Sequence, residues 1–234
     1  MSIFLGMTST EHTSQPTSTP AHRGPNPAVL AGISLALVIA GVAVSAALGG
    51  VFPSPFGDPA AIAAYLAGNP AAVTASAFFQ FAAAVPLAIY AAVAYTRLRQ
   101  LGVSAPGPAI GLIGGIVSAT MIAVAGLCTW VLALPAVGTA GGAAVLALHG
   151  LTFGTGGVGA VSFLGLLVAG VAVPGLLSGH LPRAFALAGI AIAAIAVLST
   201  LSMLVSGLAI LLPLGRFPGM LWLIAAGALI VRRK

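Results

Sequence analysis

Residues 143–174 read AAVLALHGLTFGTGGVGAVSFLGLLVAGVAVP. At 1.5 Å of rise per helical residue the stretch exceeds the ~30 Å hydrocarbon core of a bilayer. It carries no formal charge at neutral pH, and its one titratable side chain is His149. A helix on the surface of a soluble domain keeps one polar face for water. This one has no such face, so it belongs in lipid.

The rest of the chain agrees. Of its 234 residues, 60% are hydrophobic and 4% are charged, against about 25% charged in soluble domains. So few charges cannot cover a water-facing surface. The acids are Glu11 and Asp58; the cations are seven arginines and Lys234. A net charge of +6 raises the question of nucleic acid. The cations stand singly or in short clusters at the ends of apolar runs, without a basic stripe or interleaved aromatics, so nucleic-acid binding is not expected. The single cysteine, Cys128, excludes an intrachain disulfide and a thiolate metal cluster.

Working outward, the apolar runs predict an all-α polytopic bundle of six transmembrane helices, at 28–50, 71–95, 109–134, 143–174, 184–212 and 219–231. Pro86 is expected to kink the second span. The last span, near 20 Å by rise per residue, is short for a bilayer. Asp58-Pro59 is a helix-start signal, an N-cap followed by proline at the first helical position. The helix it opens, 60–67, is too short to span and is expected at the membrane interface. Residues 1–27, rich in Ser, Thr and Pro, read as a disordered cytoplasmic tail, in which Met7 is an alternative start. Residues 28–231 form the membrane domain, and 232–234 a basic cytoplasmic C-terminus. With the N-terminus inside, Arg23, Arg97, Arg99, Arg183, Arg232, Arg233 and Lys234 are all cytoplasmic and only Arg216 lies outside. That is the positive-inside pattern, and it favours six spans over five.

Candidate functional residues are few. Arg216 and Asp58 fall on the same outer face and form a candidate ion pair; the bland alternative is two solvated loop charges. Gln80, His149 and Ser206 lie at similar depth from the outer ends of their spans. Thr152 shares the His149 face of its helix, and Ser199, Ser202 and Ser206 share one face of theirs. Polar groups at membrane depth face the bundle interior, so Gln80, His149, Thr152 and Ser206 are a candidate outward-facing polar pocket. The competing reading is that they only hydrogen-bond across helices. Residues 154–159 match G-x-G-x-x-G, but the dinucleotide fingerprint needs a preceding strand and a later acid, and neither is present. Gly156 and Gly159, like Gly111 and Gly115, read instead as close-packing positions, the two glycine faces meeting each other. Trp130, Phe217 and Trp222 are expected at the outer interface, Tyr95 at the inner one, and Cys128 in the core. No catalytic constellation, metal site or cofactor is expected.

Several short motifs fall in a familiar order: Phe56-Gly57-Asp58-Pro59 in the first outer loop, a histidine early in span four, a Leu181-Pro182-Arg183 turn, and Leu221-Trp222-Leu223 opening the last span. In this order the chain resembles, over residues 28–231, the uncharacterised bacterial membrane proteins grouped as domain of unknown function 4386, common in actinobacteria. The resemblance implies six spans in a bacterial plasma membrane and no established activity. The expected function is non-enzymatic, a structural or interaction protein whose partners are the lipid bilayer and a second copy or another membrane protein. The second reading is a small transporter or ligand-binding protein with a pocket at His149 and Gln80. A polar cavity at the depth of His149 separates the two.

Overall fold

A computed structural model describes residues 24–139 and 141–232. The regular structure among them is all helical: α1 (Pro27–Gly49), α2 (Pro59–Gly68), α3 (Pro70–Gln100), α4 (Gly107–Leu132), α5 (Pro135–Thr139), α6 (Gly142–Leu177), α7 (Arg183–Met203) and α8 (Ser206–Val231). All but α2 and α5 are long and apolar enough to cross a membrane, which makes six spans. The fold is all-α, and its six long apolar helices are compatible with an integral membrane protein. Most of the expected tail, residues 1–23, lies outside the described residues, as do Arg233 and Lys234.

Successive spans run antiparallel, so the bundle has two ends. The loop end carries residues 50–58, α2, α5 and the α7–α8 junction. The arginine end carries Arg97, Arg99 and Arg183. Small residues hold the spans together, because without a hydrophobic drive between helices in lipid, close backbone approach and buried hydrogen bonds do the work. A Cβ on Gly170 of α6 would collide with the Gly111 backbone of α4, and one on Gly115 with the Ala91 Cβ of α3. On Gly156 it would stand 2.7 Å from the Ala125 Cβ, and on Gly159 3.3 Å from Met121. The two glycine sets therefore both serve α4 but do not meet each other. The antiparallel run puts Gly111 opposite Gly170 and Gly156 opposite Ala125.

Buried polar side chains tie the spans at several levels. Ser34 Oγ donates to the Ala83 carbonyl at 2.8 Å, Ser118 Oγ to Ala160 at 2.7 Å, and Tyr90 Oη to Leu223 at 3.1 Å. Pro86 is buried inside α3, which stays helical through it to Gln100. Asp58 caps α2, its Oδ2 accepting from the Ala61 amide at 3.0 Å. Ile62 and Leu66 of α2 pack on Val73, Leu132 and Val145, so this short helix is docked on the bundle.

The largest departure from the sequence reading is at the last two spans. The fifth ends at Met203, and the sixth starts at Ser206 and runs 26 residues, roughly 39 Å at 1.5 Å per residue. The expected loop at 213–218 is helical. Pro213 sits in the first turn of the α-helical stretch from Leu211, where backbone N–H groups have no intrahelical acceptor to lose. Trp222 consequently lies deeper than the interface. It is 5% exposed, stacks on Phe185 of α7 at 4.9 Å, and donates Nε1–H to the Phe185 carbonyl at 2.9 Å.

Candidate functional site

At the loop end, α1, α3, α6 and α8 line a half-open cavity of about 330 Å³, to which Phe52, Pro53 and Pro55 of the first loop also contribute. Its wall is mostly apolar, with Val38 and Val42 on α1, Phe153 and Val161 on α6, and Leu212 and Phe217 on α8. Into it face Gln80 of α3, His149 and Thr152 of α6, and Arg216 of α8. A second cavity, about 570 Å³, lies between α2 and the ends of α4 and α6. It is larger, but its lining side chains are all apolar, among them Leu66, Leu132 and Val145, so the polar side chains are in the first.

Local sequence explains each position. Residues Gly154–Gly159 of α6 form a π-helical segment between two α-helical ones. A wider turn is tolerated where four of six residues lack a Cβ, and such bulges recur at functional sites. Gly156 and Gly157 line the cavity there. A Cβ on Gly156 would be 3.8 Å from Gln80 Oε1, so the bare backbone is what brings α6 up to that side chain. On α8, Gly215 is wedged against α7 and α6; a Cβ on it would lie 2.8 Å from Ala196 Cα and 3.0 Å from Val161. The next residue is turned about 100° round the helix, which sends Arg216 toward the cavity. Two aromatics of the first loop pair with α6: Phe52 with His149 at 5.7 Å, and Phe56 with Phe153 at 5.3 Å. Tyr65 of α2 supports Phe52 edge-on at 5.6 Å.

The polar groups here are unsatisfied. Gln80 Oε1, both ring nitrogens of His149 and Thr152 Oγ1 are buried without a hydrogen-bond partner. His149 is 3% exposed and Thr152 8%. The Pro53 backbone lies within hydrogen-bonding reach of the imidazole but outside strict geometry, so it is at most a weak partner for His149. Native interiors satisfy nearly all such atoms with protein groups or ordered water, so these atoms are open to water or to another polar partner. His149 can donate and accept, Gln80 likewise, Thr152 can do both, and Arg216 brings five donors and a fixed positive charge.

The structure thus gathers Gln80, His149 and Thr152 of the expected pocket and leaves out Ser206. That serine is exposed at the start of α8, beyond the end of the helix it was expected to share with Ser199 and Ser202. Ser202 is buried, its hydroxyl unpartnered, but it does not line the cavity. The expected Asp58–Arg216 pair is not made: Asp58 is committed to the α2 cap, and Arg216 is on a helix inside the bundle instead of in an outer loop. Arg216 was missed as a lining residue because prolines on both sides read as a loop; the signal that marks it is Gly215, a small residue directly before the only cation away from a span end among the described residues. Phe217, expected in an aromatic belt, is a wall residue. Among the described residues no group of three or more His, Cys, Asp or Glu is placed to hold a metal ion.

No family model matches the chain, and neither a curated protein nor a solved structure was found to be similar to it.

Proposed function

We propose that the protein is a ligand-binding membrane protein whose small-molecule site is the Gln80–His149–Thr152–Arg216 cavity. The observation that supports it best is the set of buried, unpartnered polar atoms on Gln80, His149 and Thr152 facing one cavity. Ligand sites are largely preformed, mostly apolar clefts with a few convergent polar groups, and about 330 Å³ is at the lower end of their range. A purely structural bundle would have used these groups to bond across helices, as Ser34, Ser118 and Tyr90 do. The arginines gathered at the other end support, by the positive-inside rule, a cytoplasmic arginine end and a cavity facing outward. The resemblance carried by Phe56–Pro59 and Leu181–Arg183 implies no activity and is not needed for this reading.

Thiol accessibility tests it. In a Cys128→Ala background, Thr152→Cys is treated in intact cells with a membrane-impermeant methanethiosulfonate. The site reading expects labelling, and expects it to fall when Gly157→Leu fills the cavity. A residue packed between helices would not react. Absence of labelling in intact cells and in detergent overturns the proposal.

A further inference from the structure

Resting on that reading of the cavity, we infer that its ligand is a small amphiphile with one negative charge, a monocarboxylate being the simplest case, held by Arg216. Arg216 is the only cation at the loop end among the described residues, and no acidic side chain lines the cavity with it. Asp58, the only acid among the described residues, is bound to the Ala61 amide. A guanidinium at membrane depth is expensive unless it is paired or faces a polar cavity, and its fork of donors matches a carboxylate in two parallel hydrogen bonds. The site therefore carries an unanswered positive charge. His149, Gln80 and Thr152 add donors beside it, while Val38, Val42, Phe153 and Leu212 offer only apolar contact. One end of the ligand must accept hydrogen bonds and carry charge, and the other must be hydrocarbon. At ~30 Å³ for each water-sized group, a cavity of about 330 Å³ holds roughly ten heavy atoms, the size of an eight-carbon acid. The same chemistry, one negative charge on an apolar body, is offered by a free acid and by an anionic lipid.

The test is equilibrium binding of radiolabelled octanoate and octanamide to the full-length protein in phosphatidylcholine nanodiscs. Octanoate is expected to bind at least tenfold more tightly than its neutral isostere. Arg216→Gln should erase that difference and Arg216→Lys should keep part of it. If the glutamine variant does not fold, the two ligands on the unaltered protein decide the matter alone. Nanodiscs containing phosphatidylglycerol distinguish the sources: octanoate displaced by the lipid identifies an anionic headgroup as occupant, and octanoate retained identifies a free acid. Equal binding of octanoate and octanamide overturns the anion inference and leaves the cavity as a neutral-ligand site. No binding of octanoate, with Thr152→Cys still labelled, overturns the inference alone; no binding and no labelling overturn the site as well.

Discussion

Replacing Gly170 with alanine should destabilise the bundle far more than replacing Gly111, although the two glycines touch each other. A Cβ on Gly170 points into backbone: it collides with Gly111 Cα and N and stands 2.7 Å from the Gly107 carbonyl oxygen, about 0.7 Å inside ordinary contact at 3.4 Å. Backbone cannot rotate away, so α4 and α6 must separate. A Cβ on Gly111 meets Gly170 at 3.3 Å and the Leu167 carbonyl at 3.5 Å, which a shift of a few tenths of an ångström absorbs. Overpacking costs about 1–3 kcal/mol, and the backbone clash puts Gly170→Ala at the upper end. Alanine's better helix propensity returns up to about 1 kcal/mol at either site. The net expectation is a loss of about 1.5–2.5 kcal/mol for Gly170→Ala and between about −0.5 and +0.5 kcal/mol for Gly111→Ala. By the scaling for soluble chains of this length, the first corresponds to a fall in Tm of roughly 3–10 °C. The assay is thermal unfolding of the purified protein in one detergent, followed by a thiol-reactive dye on Cys128 and by circular dichroism. Two variants within 1 °C of each other, or the reverse order, would refute the packing assignment of α4 on α6.

Two further outcomes follow from hydrogen bonding. Thr152→Val keeps the side chain's shape and removes a buried hydroxyl that has no partner. An unmet hydroxyl costs about 1–3 kcal/mol, part of which cavity water recovers; the ligand-free protein should gain about 1 kcal/mol in thermal unfolding while octanoate binding weakens, and a loss of stability would show that Oγ1 is bonded after all. Asp58→Ala removes the α2 cap, worth about 1 kcal/mol, so amide exchange in α2 should quicken while Asp58→Asn stays near the parent and Arg216→Gln leaves α2 exchange unchanged. Faster exchange in the arginine variant would mean that the two charges are paired.

Fold class was readable from composition because a 4% charged chain has only one solvent available to it. The first four spans lie close to their expected bounds, with glycine or proline at several of their ends, among them Gly49, Pro70, Gly107 and Gly142. The boundary between α7 and α8 was misread for a physical reason. It is made by Leu204 and Val205, apolar residues with no breaker among them, exposed at 83% and 55%. The prolines at 213 and 218, which do look like punctuation, sit inside a helix that tolerates them. That shift by about one dozen residues moved Arg216 from an outer loop into the cavity, Trp222 from the interface into the core, and Ser206 out of the pocket. The glycine run is helical, as its place in a span implies, but its π-helical form is not legible, since spacing alone does not distinguish α from π winding.

The irregularities of the bundle fall together at the cavity. Of the five buried side-chain atoms without a hydrogen-bond partner among the described residues, four line it. Arg216, the only arginine away from a span end among the described residues, lines it as well, and so do two glycines of the π-helical segment. Elsewhere the bundle obeys its rules: Ser34, Ser45, Ser118, Tyr90 and Trp222 all reach a carbonyl on another helix. Random imperfection would scatter these violations over six spans. Real proteins break local rules at functional sites and keep them elsewhere. Here an unpaired charge, three orphaned polar side chains and a break in helical winding converge on one volume, beside a loop whose phenylalanines press on the same helix. Each is unfavourable alone, and a single anionic guest would satisfy the charge and the hydrogen-bond donors together.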